Sequence, residues 1–327
     1  MNSRNVGIES IKYYVPSTTI SCDDVFIDME KKGLIEFPEG MSKTKEKYIQ
    51  ELKNKIENKD IPVELSKTPY EMLSVVTERF FKKNENAQVD LVIFTGELSP
   101  LHDKYSTPHK LIYEFGLSKA MIFELGNRCA SISTAVELAR SLLEKERSWS
   151  RALVISQNHK DSIEERFHQG NSIEGDGASL ISISETENNI LLDYRNKNFP
   201  QFNRYLFDNS LSNSFSTFME YINSGIEFLR ESLEELSILP CEIDQVILQN
   251  INSYIPKVLS RKLGLEEHSI FTDNIKKYGH IADIDFPINL KDYLDNNTCS
   301  NFVISQNTGA GMTTDITFIK NPGKLRF

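Results

Sequence analysis

The chain has 327 residues, 39% hydrophobic and 26% charged, with Lys+Arg 37 against Asp+Glu 47. That length suits two domains or one large α/β unit, and the composition excludes disorder, collagen-like repeats and low complexity. A formal net charge of −10 argues against general binding to nucleic acid or to an anionic membrane surface.

No apolar run reaches the ~18 residues of a membrane span. The opening stretch, MNSRNVGIESIKYYVP, lacks the apolar core of a signal peptide, so a cytoplasmic protein is expected. Cysteines at 22, 129, 241 and 299 show neither metal-ligand spacing nor a dense disulfide pattern, which points to reduced thiols and no bound metal.

Residues 7–15 alternate apolar and polar and predict a strand. The run 41–60, MSKTKEKYIQELKNKIENKD, predicts a charged helix with a solvated face or a mobile flap. An amphipathic helix is expected over 69–82, a buried strand over 90–96 (DLVIFTG) and a helix over 109–115 that stops at Gly116. A strand at 121–125 precedes a helical period from Cys129 to Leu143, and another strand follows at 151–157. This alternation argues for parallel βαβ layers.

The same order returns in the second half: a helix over 217–237, a strand over 244–250, a helix over 255–263 stopping at Gly264, then strands at 301–306 and 314–319. Asp244 follows Asp90 by 154 residues, Gly264 follows Gly116 by 148, and Asn301 follows Arg151 by 150. A near-constant offset predicts a duplicated unit whose strand ends converge on one crevice. The expected division is 1–175 and 176–327. His280 lies 151 residues after Cys129, so the two occupy corresponding points.

Cys129 follows a strand and the short turn Gly126-Asn127-Arg128, and it opens a buried helix. Helix-start N–H groups and the helix dipole favour a thiolate there, and an inward-pointing Arg128 would add to that. The other three cysteines lack this setting and read as structural or surface residues. Glu97 could reach the crevice as a second base. His102, His109, His159, His168 and His268 show no ligand spacing and read as surface or satisfied core residues. No phosphate-cradling glycine loop occurs.

FELGNRCASISTAVELARSLL at 123–143, GDGAS at 175–179 and NTGAGMTTD at 307–315 are three motifs in a fixed order. Through them the chain resembles the thiolase superfamily, most closely β-ketoacyl-acyl carrier protein synthase III. The resemblance implies a thiolase-like, five-layered αβαβα fold of two similar halves, and usually a homodimer. It also implies an acyl thioester on Cys129, with backbone N–H groups of Cys129 and Ala310 as the oxyanion hole. Gly309 and Gly311 would let the backbone approach that closely.

The departures from that pattern are informative. Where the family has a His in H-Q-x-N, this chain reads Gln249-Asn250-Ile251-Asn252, keeping only Asn252. Where the family has an Asn after Tyr-Gly, His280 follows Tyr278-Gly279. Cys129 and His280 can support acyl transfer, with Gln249 as an orienting amide, whereas decarboxylation of a malonyl extender loses support. The aromatic clamp for the coenzyme A adenine is missing, and the one Trp, Trp149, reads as a packing residue. Lys257, Arg261 and Lys262 form a small basic face that could meet an acidic carrier protein.

The expected activity is therefore that of a thioester-dependent acyltransferase with no tightly bound cofactor. Its donor would be an acyl carrier protein or acyl-coenzyme A. Its acceptor would be a carbon nucleophile, or a hydroxyl or amine of a small metabolite. The alternatives are a partner-dependent subunit of a heterodimeric synthase and a thioester hydrolase.

Overall fold

The computed structural model describes residues 4–35, 44–96, 107–168, 172–202, 215–297, 301–309 and 312–325, with side chains described for all of these except 215–218. Ten strands make the central sheet. They are β1 (Val6–Tyr14), β2 (Leu91–Gly96), β3 (Met121–Glu124), β4 (Arg151–Asn158), β5 (Gly177–Glu185), β6 (Ile190–Asn198), β7 (Ile243–Leu248), β8 (Ile270–Phe271), β9 (Phe302–Gly309) and β10 (Thr313–Lys320). Their spatial order is β8-β7-β9-β10-β6-β1-β5-β4-β2-β3.

Each set of five is arranged identically. β2 pairs parallel with β3 and β4, and β4 and β1 pair antiparallel with β5. In the second half β7 pairs parallel with β8 and β9, and β9 and β6 pair antiparallel with β10. The halves meet where β1 lies antiparallel to β6 at Gly7↔Ile190. A side chain on Gly7 would come within 2.4 Å of the Asn189 carbonyl oxygen, so only glycine allows that approach. Because β5 belongs to the first set, the seam falls between Glu185 and Ile190, not at the 175/176 division expected from sequence.

Helices fill the crossovers: α1 (Cys22–Lys31), α2 (Lys45–Ile56), α3 (Pro69–Phe81), α4 (Thr107–Glu114), α5 (Ser131–Lys145), α6 (Phe215–Leu236), α7 (Tyr254–Leu263), α8 (Asp273–Lys277) and α9 (Asp285–Asn296). β2, β4, β5, β7, β9 and β10 are buried on both faces, and their alternation assigns the layers. Leu91 and Ile93 of β2 and Val303 of β9 face a central cluster that holds α5 and α9. Val92 and Phe94 face α3 and α4 instead, and Ile304 faces α6 and α7. The result is the five-layered αβαβα arrangement. Trp149 packs against the central layer.

The repeat extends to single hydrogen bonds. The Asp90 carboxylate accepts from the Ser150 N–H at 2.7 Å, and Asp244 accepts from the Asn301 N–H at 2.7 Å. Gly116 and Gly264 close α4 and α7 at φ of 65° and 67°, the left-handed conformation that glycine adopts without strain.

The charged run is amphipathic rather than fully solvated. Ile49, Leu52 and Ile56 of α2 pack against Val25, Phe26 and Met29 of α1, while its lysines and glutamates face water. Burying one such aliphatic side chain is worth about 1.5–3 kcal/mol, so three suffice to hold this short helix down. No helix among the described residues is long and apolar enough to cross a membrane.

Candidate active site

The turn that carries Cys129 is fixed by its own hydrogen bonds. Cys129 lies two residues ahead of α5, whose stripe Ile132, Ala135, Val136, Ala139 and Leu143 is buried. The Asn127 N–H donates to Ser131 Oγ at 2.6 Å, and that hydroxyl donates to the Arg128 carbonyl at 2.6 Å. Deeper, Ser133 and Thr134 each donate to the Asp315 carboxylate of β10 at 3.0 Å. Arg128 is exposed at φ 51°, so its guanidinium does not line the site; its left-handed backbone makes the turn.

The second half holds the turn from the other side. Gln249 is 4% exposed, and its Nε2 donates to the Cys129 carbonyl at 2.8 Å. Its Oε1 accepts from the Thr308 N–H at 2.8 Å and the Thr308 hydroxyl at 3.0 Å. The amide therefore orients the Cys129 backbone. Gly309 supports the same turn, since a Cβ there would sit 3.0 Å from the Asn127 carbonyl oxygen and 3.5 Å from Ala130 Cβ. Asn252 turns its oxygen to α7, accepting from the N–H groups of Tyr254 at 3.0 Å and Ile255 at 3.2 Å. That oxygen caps the start of the helix. Ala310, Gly311, Glu97, His102 and Cys299 lie outside the described residues.

His280 is 5% exposed and precedes α9 as Cys129 precedes α5. Its Nδ1 lies 2.6 Å from Asp285 Oδ2. Asp285 also accepts from the N–H groups of Asn250 at 2.8 Å and Ile281 at 2.7 Å. With Nδ1 held there, Nε2 faces the thiol. Cys129, His280 and Asp285 thus bring together a thiol, an imidazole and a carboxylate, the kinds of group that nucleophilic catalysis combines. Burial alone would lower the His280 value, but the charge and hydrogen bond of Asp285, with Cys129 beside it, raise it well above the usual imidazole range. Burial also pushes the Cys129 thiol up, against the pull of His280.

Two more acids close the site, and neither was singled out from the sequence. Glu174, just ahead of the GDGA turn, is 4% exposed, and its Oε1 lies 4.0 Å from His280 Nε2. Burial would raise this carboxyl, but the hydrogen bond and charge of His168, with the charges of His280 and Lys160, hold it well below the usual range. Asp283 accepts from Ser156 at 2.9 Å and Thr95 at 3.1 Å, and burial raises it to about 7.

Cys129 Sγ, a Glu174 oxygen and a His280 nitrogen lie within 4.8 Å of one another, a donor set of the kind zinc takes. The spacing of cysteines along the chain cannot reveal it, because the three residues come from three different segments. Of the remaining thiols, Cys22 is buried, which raises it to about 11, and Cys241 is exposed.

Lys257, Arg261 and Lys262 are exposed on α7, immediately beyond Asn252. Lys257 borders a surface cavity of about 470 Å³ that Lys276, Glu57, Glu267 and Asp273 also line. The basic face is therefore mixed with acids at one side.

The chain has the thiolase-like fold of the synthase III enzymes. Over 96% of this chain and 99% of the other, it matches 3-oxoacyl-[acyl-carrier-protein] synthase III from Aquifex aeolicus with a TM-score of 0.74 at 19% identity. The synthase III of Pseudomonas aeruginosa matches over 99% and 100% of the two chains, with a TM-score of 0.77 at 13% identity. The acyltransferase ChlB3 matches over 98% of each, with a TM-score of 0.76 at 16% identity. No protein-family model and no curated protein matches the chain.

Proposed function

We propose that the protein is an acyltransferase that carries its acyl group on Cys129 and delivers it to a heteroatom acceptor. The observation that carries this reading is the Cys129–His280–Asp285 array, in which a half-buried thiol meets a buried imidazole and a buried carboxylate. In loading, the Cys129 proton is held on His280 Nε2, as the raised imidazole requires, and the Sγ thiolate attacks the thioester carbonyl. The donor C–S bond then breaks, and the donor thiolate takes the proton back. In transfer the acceptor attacks the new thioester and Cys129 leaves as the thiol.

Gln249 gives decarboxylative condensation little support. Its amide oxygen and one of its N–H bonds are committed to Thr308 and the Cys129 carbonyl, so it is not free to grip a malonyl thioester. Loss of one oxyanion donor typically costs about 10²–10³ in rate. The donor we favour is an acyl carrier protein docking on the face of Lys257, Arg261 and Lys262.

Intact-mass measurement after incubation with matched acyl-carrier and acyl-coenzyme A donors tests both parts. The expected adduct maps to Cys129 and forms faster from the carrier, and Arg261→Glu slows only the carrier reaction. Absence of any adduct on Cys129 would refute the acyltransferase reading. An adduct formed faster from coenzyme A, with no effect of Arg261→Glu, would refute the carrier alone.

A further inference from the structure

Three side chains with zinc-type donor atoms come together from three separate segments. Cys129 precedes α5, Glu174 stands just ahead of β5, and His280 precedes α9. Their ligating atoms lie within 4.8 Å of one another, with His280 Nε2 4.0 Å from Glu174 Oε1. Zinc binds sulfur at about 2.3 Å and nitrogen or oxygen at about 2.0–2.2 Å, so tetrahedral geometry spaces its ligands roughly 3.3–3.6 Å apart. Side-chain movements of roughly 1 Å close this set around one ion.

Each donor is also held from behind, as metal ligands are. His280 Nδ1 meets Asp285 Oδ2 at 2.6 Å, which turns Nε2 towards the thiol and makes it a stronger donor. The Gly175 N–H donates to the His280 carbonyl at 2.8 Å, tying the backbones of two donors together, and Gln249 holds the Cys129 carbonyl. Glu174 Oε1 meets His168 Nε2 at 2.7 Å, and Oε2 meets the Lys160 ammonium at 3.1 Å. A carboxylate offers about four lone-pair sites, so Oε1 keeps one for a metal. A metal-bound thiol is deprotonated outright. Cys129, Glu174 and Asp285 then bring three negative charges against the buried Lys160 ammonium. A divalent cation offsets that excess where unbalanced charge is costly.

We propose that Cys129, His280 and Glu174 bind one Zn²⁺, and that bound zinc switches acyl loading off. The metal site rests on its own geometry, and its effect on loading rests on the acyl-transfer reading above. Sγ, Nε2 and Oε1 each donate a lone pair to the ion, and the proton held on His280 leaves to solvent. The Sγ lone pair that attacks a thioester carbonyl is then committed to the metal, and Nε2 can no longer hold or return a proton. A chelator that takes the zinc away restores both.

The test uses the full-length protein, with iodoacetamide labelling mapped to each cysteine. One equivalent of Zn²⁺ is expected to slow labelling of Cys129 by about tenfold or more, because the thiolate is the reactive form, and to leave Cys241 unchanged. A chelator reverses the effect, and Mg²⁺, which prefers six oxygen ligands, does not reproduce it. Co²⁺ in place of zinc gives an intense sulfur-to-cobalt absorption band in the unmodified protein, and Cys129→Ala loses it. His280→Ala and Glu174→Gln each weaken zinc binding by about tenfold or more, whereas Cys241→Ser does not. Zinc lowers acyl loading in step with protection of Cys129. No protection by Zn²⁺, equal protection by Mg²⁺, no sulfur-to-cobalt band, unweakened binding in His280→Ala, or loading that zinc leaves unchanged or accelerates would overturn the proposal. Failure of metal-free Cys129 to take any acyl group would instead refute the acyl-transfer reading, with labelling and the cobalt band still deciding the metal site.

Discussion

Asp285→Asn isolates the contribution of the orienting carboxylate. In the folded protein two oxygens of Asp285 serve four donors: the Asn250 and Ile281 N–H groups, the Asn250 side-chain amide at 3.5 Å and His280 Nδ1–H. An amide offers one acceptor oxygen, so its NH2 must face a donor. Removing the charged partner from a buried pair costs about 3–5 kcal/mol, against a typical total stability of about 5–15 kcal/mol. The variant should therefore fold but be weakened. His280 is raised well above 6.5, so its pairing stabilises the protein fully below pH ~6.5 and loses that effect as pH rises through the folded value. The stability deficit of the variant, measured by denaturant unfolding, should be largest near pH 6 and smaller near pH 9. Catalysis should suffer more, because a freed imidazole can take the wrong tautomer; the equivalent change in a serine triad costs about 10⁴ in kcat. Loading followed by intact mass should fall by at least 10² on that precedent. Wild-type loading in Asp285→Asn, or a deficit independent of pH, would refute the assigned geometry.

Gln249→Ala leaves the Cys129 carbonyl and Thr308 N–H without their side-chain partner, and unfolding should show a loss of about 2–4 kcal/mol, with loading slowed alongside it. Gly309→Ala places a Cβ 3.0 Å from the Asn127 carbonyl and should slow iodoacetamide labelling of Cys129 by about tenfold while costing about 1–3 kcal/mol in stability. Burial works to raise Glu64, but hydrogen bonds from Tyr14, Ser66 and Lys67 lower it to about 2. Its contribution is present above pH ~4.5 and lost as pH falls towards 2, so the melting-temperature gap between wild type and Glu64→Gln should narrow over that range.

Periodicity revealed the parts of the fold that are apolar on a regular spacing. β2, β4, β7 and α5 lie within a residue or two of their expected bounds, and the offset between Asp90 and Asp244 marks a real structural repeat. β5 and β6 escaped because their sequences mix signals. GASLISISE buries Ser179, Ser182 and Ser184 among aliphatic neighbours, and ILLDYRNKN is largely polar beyond its first three residues. Missing them displaced the expected seam from 185–190 to 175.

The site divided along the same line. Cys129 carries a local signal, a turn opening a buried helix, whereas Glu174 and Asp285 become site residues only through chain pairs that fold against each other. Asp285 stands five residues after His280 at the start of a helix, a spacing that was available but carries little weight alone. His168 read as an ordinary surface residue until its partner was seen to be a buried acid.

The bond between Gln249 and the Cys129 carbonyl spans 120 residues of sequence, and the one from Gln249 to Thr308 spans 59. No partial chain ending before β9 can complete that clasp. The first half could collapse around α5 early and still present Cys129 on a turn secured from one side only. A refolding or ribosome-bound molecule would thus acquire its special thiol last, after docking of the second half. The rate at which Cys129 gains its native labelling behaviour would then time the final assembly step, with the exposed Cys241 as internal standard.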